Sequence, residues 1–228
     1  MMYRDRRAAG RILAESISQS TRQAIGAQPD PVPVLVLGLP RGGVPVAFEV
    51  AKSCNFPLDV LVVRKLGVPG QRELAMGATT GDGTVVLNND IIRELHIREE
   101  TIQMAMSQEQ AQAQQQEHLY RQGLPPLAME GRTVILVDDG LATGATMRAA
   151  VRAVRSRANR VIVAVPVGAI DACTGLAQEA DLVICPHTPV LFGAVGQFYR
   201  NFDPTSDEEV SALLLGARSS VSAGTPSS

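Results

Sequence analysis

The sequence is short of the residues that stabilise small secreted domains or bind structural metals. It contains three cysteines and no tryptophan in 228 residues. Cys54, Cys173 and Cys185 are odd in number, far apart and without a C-x-x-C pair. This pattern argues against a disulfide framework or a zinc site and favours a reducing compartment.

A strong charge of one sign and a long apolar run are also missing. The formal net charge is −2, which does not indicate a general nucleic-acid surface, so DNA is not an expected partner. No apolar run reaches the roughly 20 residues of a transmembrane helix. Asp5, Arg6 and Arg7 precede a weakly apolar, interrupted segment rather than a signal-peptide core. We therefore expect a cytoplasmic protein with no membrane partner.

What the sequence does contain is typical of one α/β domain. Hydrophobic residues make up 45% and charged residues 19%, and the length suits one sizeable core. Short apolar runs alternate with segments of helical periodicity, which predicts a mainly parallel central sheet flanked by helices. The predicted helices are 4–25, 44–54, 89–122 with a break near His96, a helix from Met147, 170–180 and 207–215. The predicted strands are 34–37, 58–63, 84–87, 134–137, 160–165 and 181–185.

Two segments are predicted to be less regular. Residues 66–83 are rich in glycine and proline and are expected to form a flexible loop that acts as a lid. The short strand 84–87 could pair as a hairpin with residues near 75–79. We expect one domain over 1–215 and a disordered tail over 216–228, which is small and polar.

The most informative stretch runs from Val134 to Thr146. A buried strand ends in Asp138 and Asp139, and a loop of small residues leads into a helix that begins near Met147. Backbone N–H groups at such a turn and helix N-terminus bind anions. The two carboxylates need another partner, either hydroxyl groups or a metal ion. A ligand that carries both a phosphate and a diol satisfies both halves of the motif.

A second strand, glycine turn and helix precedes it. Arg41, Gly42 and Gly43 follow the strand 34–37, and small turns with a guanidinium suit a phosphate or diphosphate. Taken alone, an ordinary strand-to-helix turn is an equally good interpretation. Arg64 and Lys65 follow the predicted strand 58–63, at the end where open α/β sheets bind ligands. A solvated strand end is the alternative there.

The segment from Val134 to Thr146 resembles the phosphoribosyl-diphosphate motif of type I phosphoribosyltransferases. Its pattern V-D-D-G-x-A-T-G-A-T is that of one bacterial branch, some members of which are fused to hydrolase domains. The same branch resembles this chain, in order, at Asp5-Arg6, 39–43, 63–67, 196–199 and 207–210. One departure is Gln114–Gln116, where arginines are expected, so a substrate or oligomer role of those arginines is in doubt.

The resemblance implies Mg²⁺-dependent transfer of a 5-phosphoribosyl group from phosphoribosyl diphosphate to a nitrogenous base, with release of diphosphate. Asp138 and Asp139 would hold the ribose hydroxyls, with Mg²⁺ near Asp139, bound through water. The implied residues for the 5-phosphate are Ala142, Thr143, Gly144, Ala145 and Thr146.

The diphosphate would lie on the arginine-glycine turn. Arg41, Gly42 and Gly43 would cradle it, with a cis peptide between Pro40 and Arg41, as relatives suggest. Arg64 and Lys65 would add positive charge where the diphosphate leaves.

The acceptor base is expected under a small hood. The hood would come from the N-terminal helix, from 89–122 or from 186–215, with Phe192, Phe198 and Tyr199 as aromatic candidates. For each ring, core packing is the alternative. The acceptor itself is left open, as is a catalytically weak or inactive sensor of phosphoribosyl diphosphate or a nucleotide. A homodimer or higher homo-oligomer is compatible with the sequence.

Overall fold

The computed structural model describes residues 1–25 and 32–222. Helices and strands alternate along much of the chain, apart from the consecutive strands between residues 58 and 87 and the two helices after them, which confirms the α/β class. The helices are α1 (Arg6–Ile25), α2 (Gly43–Cys54), α3 (Asn89–Glu94), α4 (Glu99–Arg121), α5 (Ala145–Val154), α6 (Ile170–Leu176) and α7 (Asp207–Ser222). The strands are β1 (Val34–Gly38), β2 (Leu58–Val60), β3 (Val63–Val68), β4 (Gln71–Thr80), β5 (Val85–Leu87), β6 (Thr133–Val137), β7 (Arg160–Ala164) and β8 (Leu182–Ile184).

The main sheet has five parallel strands in the order β2-β1-β6-β7-β8. Each of its central strands is apolar on both faces because helices cover both sides. In β6, for example, Ile135 and Val137 pack with α1, α2 and α7, whereas Val134 and Leu136 pack with α5 and α6. This two-sided burial explains why the strands read as continuous apolar runs rather than alternating ones.

The prediction of an irregular loop over 66–83 is wrong for most of that segment. Residues 66–68 and 71–80 belong to β3 and β4, which pair antiparallel and form a second, three-stranded sheet with β5. Gly77 is needed inside β4 because a Cβ there would lie 2.5 Å from the carbonyl oxygen of Val86. Glycine thus permits close packing of strands here. The predicted pairing of 75–79 with 84–87 is confirmed.

The predicted strand 58–63 is divided between the two sheets. β2 ends at Val60, and β3 begins at Val63 in the second sheet. Arg64 and Lys65 therefore lie within β3 and not at the end of a main-sheet strand, so that prediction is corrected. An apolar run that passes from one sheet to another gives no local signal of the change.

The remaining boundaries agree closely with expectation, with one exception. The predicted break near His96 is confirmed, since His96 has a left-handed φ of 48° between α3 and α4. The tail predicted to begin at residue 216 is wrong at its start, because α7 continues to Ser222. Residues 223–228 lie outside the described residues. Among the described helices, none is both long enough and apolar enough to cross a membrane.

Candidate active site

The two glycine turns meet at the carboxyl edge of the main sheet. Gly38 at the end of β1 lies opposite Val137 at the end of β6. The Leu39 N–H donates to the carbonyl oxygen of Val137 at 2.9 Å, so the turn after β1 runs beside the acidic pair after β6. The peptide between Pro40 and Arg41 is cis, as the family resemblance suggests.

The glycines of the first turn let it press against the acidic pair. A Cβ on Gly42 would stand 2.1 Å from Asp139 Oδ2. A Cβ on Gly43 would stand 2.7 Å from the Val137 carbonyl oxygen and 2.9 Å from Asp138 Cα. Since real Cβ atoms essentially never approach atoms so closely, any side chain at either position would separate the two turns.

The carboxylates of Asp138 and Asp139 are partly buried side by side. Burial, followed by the charge of Asp139, raises the pKa of Asp138 well above its usual value. Burial also raises the pKa of Asp139, against the hydrogen bond and positive charge of Arg6. The Asp139 N–H donates to Asp138 Oδ1 at 2.8 Å, which fixes the Asp138 side chain. These carboxylates are costly to keep charged here, as is common at functional sites.

Arg6 of α1 is the basic partner of the acidic pair. Its Nε donates to Asp139 Oδ2 at 2.8 Å, and the two side chains are only 13% and 15% exposed. Its Nη1 donates to the carbonyl oxygen of Asp203 at 2.7 Å, and its guanidinium lies 3.9 Å from the ring centroid of Phe202. Arg6 therefore connects the first helix, the acidic pair and the segment before α7.

The loop after the acidic pair leads into the N-terminus of a helix. The Leu141 N–H donates to the carbonyl oxygen of Val167, and Gly144 has a φ of 73°, which favours glycine. α5 begins at Ala145, so the loop ends at a helix N-terminus. Four of the five residues expected at the 5-phosphate are exposed there: Ala142, Thr143, Ala145 and Thr146. Gly144 is buried beneath them.

Part of the predicted diphosphate site lines one small cavity. The cavity has a volume of about 180 Å³ and is bordered by Pro40, Arg41, Arg64, Gln116 and Thr146, among others. The structure thus brings Arg41, Arg64 and Thr146 together. Gln116 belongs to the segment where arginines were expected, so a neutral amide borders this cavity in their place.

Arg64 and Lys65 are not equivalent in the structure. Arg64 Nε donates to Glu109 Oε2 at 2.9 Å, and Arg64 also donates to Gln112. Lys65 is exposed and does not line this small cavity, although it borders a second cavity together with Arg64, Glu109 and Gln112. Its predicted position beside the diphosphate therefore lacks support from the geometry.

Arg41 lies near the start of α7. Its Nη1 is 4.0 Å from Asp207 Oδ1. The Tyr120 hydroxyl donates to Asp207 Oδ1 at 2.7 Å and accepts from Gln116 Nε2 at 2.7 Å. Two residues of the glutamine-rich face of α4, Gln112 and Gln116, turn toward the candidate site.

The aromatic residues proposed for the hood form a cluster at the same edge. Tyr199 is buried, stacks against Tyr3 at 5.5 Å and donates its hydroxyl to the carbonyl oxygen of Asp139 at 2.6 Å. Phe198 contacts Phe192 and His187, with ring centroids 5.2 and 5.5 Å away. Tyr199 therefore contacts the backbone of the acidic pair directly. Phe192 and Phe198 are half-buried.

The donor set near the acidic pair suits Mg²⁺ bound by a ligand. In the part of the chain that the structure describes, no group of three or more His, Cys, Asp or Glu side chains could hold a metal by itself. Mg²⁺ is usually held by one or two carboxylates, with phosphates and water completing the shell. Asp138 and Asp139 supply two carboxylates beside the arginine-glycine turn, so the residues fit such an ion.

The sequence assigned no role to Arg6 or to the Asp207–Tyr120 pair. A signal for Arg6 and Asp207 was present, because both fall in segments that resemble the bacterial branch. Their positions were hidden because the contacts join residues 133 and 87 apart along the chain.

Comparison with known proteins identifies the family. Residues 78–190 match the family described as the phosphoribosyl transferase domain. The crystal structure of TT1426 from Thermus thermophilus is 40% identical, covers 95% of this chain and 99% of its own, and superimposes with a TM-score of 0.81. Two Mycobacterium tuberculosis proteins named "Putative phosphoribosyl transferase", Rv0571c and MT0597, are each 48% identical over 214 residues. The chain belongs to the phosphoribosyltransferase family.

As a member of the phosphoribosyltransferase family, the chain matches the Mycobacterium tuberculosis proteins over part of their length. The alignment covers 93% of this chain and 46% of each of theirs, so the chain spans about half of those relatives. The family match includes the acidic pair and the loop 140–146. The arginine-glycine turn and α1, which carries Arg6, precede the matched range.

Proposed function

We propose that this phosphoribosyltransferase is active with Mg²⁺ and transfers the 5-phosphoribosyl group of phosphoribosyl diphosphate to a nitrogenous base, releasing diphosphate. One observation carries the proposal. The acidic pair Asp138–Asp139, the turn Arg41–Gly43 and the loop 140–146 lie along one edge of the sheet. A diol, a diphosphate and a phosphate on one ligand match these three groups in order.

The loop residues would bind the 5-phosphate at the positive end of α5. Exposed hydroxyl groups on Thr143 and Thr146 add donors to the backbone N–H groups of the loop. Asp138 and Asp139 would accept hydrogen bonds from the ribose hydroxyls. Arg41 would neutralise diphosphate oxygens, with Gly42 and Gly43 allowing close approach of the backbone.

The chemistry needs orientation rather than a covalent nucleophile from the protein. The bond from ribose C1 to the diphosphate oxygen breaks as positive charge develops on the ribose, and a ring nitrogen of the base forms the new bond. Bound Mg²⁺ would supply charge neutralisation on the diphosphate oxygens, with Asp139 holding it through water. This chain's residues would fix the ribose and stabilise the charge that leaves.

A second candidate is a sensor that binds phosphoribosyl diphosphate or a nucleotide without rapid turnover. Two observations favour it. Arg64 is engaged by Glu109 and Gln112 rather than open to a ligand. Glutamines occupy positions 114–116, where the family resemblance leads us to expect arginines.

The deciding experiment is a diphosphate-release screen of the full chain. Phosphoribosyl diphosphate and Mg²⁺ are supplied with each of a panel of purine and pyrimidine bases, with a chelator as one control and the Asp139→Asn variant as another. We expect release with at least one base, lost on chelation and in the variant. Saturable binding without release for every base would favour the sensor. If the chain shows no binding of phosphoribosyl diphosphate and no release of diphosphate with any base, both proposals are refuted.

Partners and location follow the same reasoning as the proposal. A nucleobase-like acceptor and phosphoribosyl diphosphate are the proposed small-molecule partners, and a homo-oligomer is proposed for the assembly. The cysteine pattern supports a reducing compartment, so we also propose a cytoplasmic location.

A further inference from the structure

Two cysteines that are distant in sequence meet at the edge of the candidate site. Cys173 lies on α6, and Cys185 directly follows β8. Both sulfur atoms lie next to Gly168. A Cβ on that residue would stand 2.7 Å from the Cys173 Sγ and 3.3 Å from the Cys185 Sγ. The two thiols are therefore neighbours beside one glycine; both are free and half-buried, and the Cys185 Sγ donates to the carbonyl oxygen of His187 at 3.3 Å.

The third cysteine has a different environment. Cys54 ends α2 and packs with the helices on the opposite face of the main sheet. Its sulfur lies 3.7 Å from Ser18 Oγ. Cys54 is therefore a matched internal control, a free and half-buried thiol away from the pair.

α6, which carries Cys173, supports the phosphate loop directly. A Cβ on Gly144 would lie 3.4 Å from the Leu176 side chain and 3.6 Å from the Ala172 side chain. The Ala169 N–H donates to the carbonyl oxygen of Leu141 at 2.8 Å. A restraint on the motion of α6 should therefore also restrain the loop 140–146, because the two are joined by packing and by a backbone hydrogen bond.

We propose that Cys173 and Cys185 are a modification site at which a peroxide forms a reversible intramolecular disulfide, and that this bond restrains α6 and the loop 140–146. In the first step the Cys173 sulfur attacks one peroxide oxygen. The O–O bond breaks, the first water leaves and Cys173 becomes a sulfenic acid. In the second step the Cys185 sulfur attacks the Cys173 sulfur and a second water leaves. Two thiols lose two electrons and two protons, and hydrogen peroxide is reduced to two waters.

The order of attack follows from the thiol environments. The neighbouring Cys185 side chain lowers the pKa of the Cys173 thiol from its ordinary value, so Cys173 is the thiol that reacts first. The neighbouring Cys173 and burial raise the pKa of Cys185, so Cys185 is the slower thiol and reacts second, with the sulfenic acid held beside it.

The test uses the full chain, reduced and then exposed to hydrogen peroxide. Bridged peptides are mapped after alkylation, and backbone hydrogen exchange is followed over residues 140–146 and 166–176. We expect a Cys173–Cys185 bridge with Cys54 still open to alkylation. Exchange in both segments should slow about fivefold or more, because a crosslink restricts local opening, and dithiothreitol should reverse this.

Matched variants separate the pair from general oxidation. Cys54→Ser should respond like the native chain, whereas Cys173→Ser and Cys185→Ser should show no change in exchange with peroxide. Alkylation of both Cys173 and Cys185 after peroxide treatment, or a bridge to Cys54, would overturn the site. A correct bridge with unchanged exchange over 140–146 would overturn the restraint on the loop. No readout requires phosphoribosyl diphosphate, so failure of the proposed activity leaves the test intact.

Discussion

At the residue scale, one guanidinium offsets the cost of two adjacent carboxylates. Asp138 and Asp139 are both disfavoured as charged groups by their burial. Arg6 donates to Asp139, and Gly42 leaves the space in which this contact forms. An arginine on the first turn of the first helix thereby becomes part of a site more than a hundred residues away in sequence.

Arg6→Gln should weaken the candidate site without unfolding the protein. Loss of a charged hydrogen bond to a largely buried carboxylate should cost about 1–3 kcal/mol of stability, and Asp139 should lose its fixed orientation. We expect a lower melting temperature and weaker binding of phosphoribosyl diphosphate by calorimetric titration. Arg7→Gln is the matched control, since Arg7 is half-exposed and its pair with Glu49 spans 3.9 Å. Equal effects from both substitutions would contradict the role of Arg6.

Asp138→Asn should stabilise the fold while impairing the site. Asparagine keeps the oxygen that accepts from the Asp139 N–H and removes a charge that is costly to bury. The folded-state pKa of Asp138 is raised, so its ionisation penalises the native protein above that pKa and disappears below the unfolded value of about 3.9.

The melting temperature of Asp138→Asn should therefore exceed that of the native chain at pH 8. Each kcal/mol gained corresponds to about 2–4 °C for a domain of this size. The difference should shrink as the pH falls toward 4. A variant that melts lower than the native chain at pH 8 would show that the charged form of Asp138 is stabilising instead.

At the element scale, the loop 140–146 runs directly into the first turn of α5. The Leu141 N–H donates to Val167 and the Leu141 carbonyl oxygen accepts from Ala169, and α5 starts directly after the left-handed Gly144. The threonine hydroxyls are free to face a ligand because the backbone, rather than side chains, fixes the loop. Thr143 Oγ1 accepts only a long hydrogen bond, 3.4 Å, from the Ala145 N–H.

Thr143→Val should reduce affinity for phosphoribosyl diphosphate with little change in melting temperature. The substitution removes a donor at the loop and conserves side-chain volume at an exposed position. One lost hydrogen bond to a charged group corresponds to about 1.5–3 kcal/mol, or roughly tenfold or more in affinity. Thr174→Val, at an exposed threonine on α6, is the control. Native affinity in an equilibrium titration of Thr143→Val would contradict the loop's role.

At the scale of the whole molecule, Arg157 joins the two sheets. It lies between α5 and β7 and pairs with Asp82 in the turn between β4 and β5. It also donates to Glu130, before β6, at 2.8 Å. This contact anchors the far end of the second sheet to the main one.

Arg157→Gln should loosen the second sheet more than the whole fold. Partly exposed ion pairs contribute about 0–1 kcal/mol, so global stability should change little. Hydrogen exchange over 80–87 should accelerate, while strands β6 and β7 keep their protection. Arg155→Gln, which removes a pair with Asp181 inside the main body, should leave 80–87 unaffected. Unchanged exchange at 80–87 in Arg157→Gln would argue that the turn is held by other contacts.

Local patterns in the sequence were enough to predict one group of features. Strands buried on both faces are continuous apolar runs, so the main sheet was predictable, as was the position of Asp138–Thr146 at a strand end. The turn at Arg41–Gly43 was predictable for the same reason. These features follow from residues that are close in the chain.

The contacts between residues far apart in sequence became known only from the folded structure. It moved Arg64 and Lys65 into a second sheet, because an apolar run carries no mark of where the chain leaves one sheet for another. The segment expected to be a flexible loop forms β3 and β4. Its glycines suggested irregular structure, but Gly77 lies inside β4, where it allows close approach to β5. The structure placed Arg6 on Asp139 and Cys173 beside Cys185, since such contacts arise from the packing of whole elements and leave no period or spacing in the sequence.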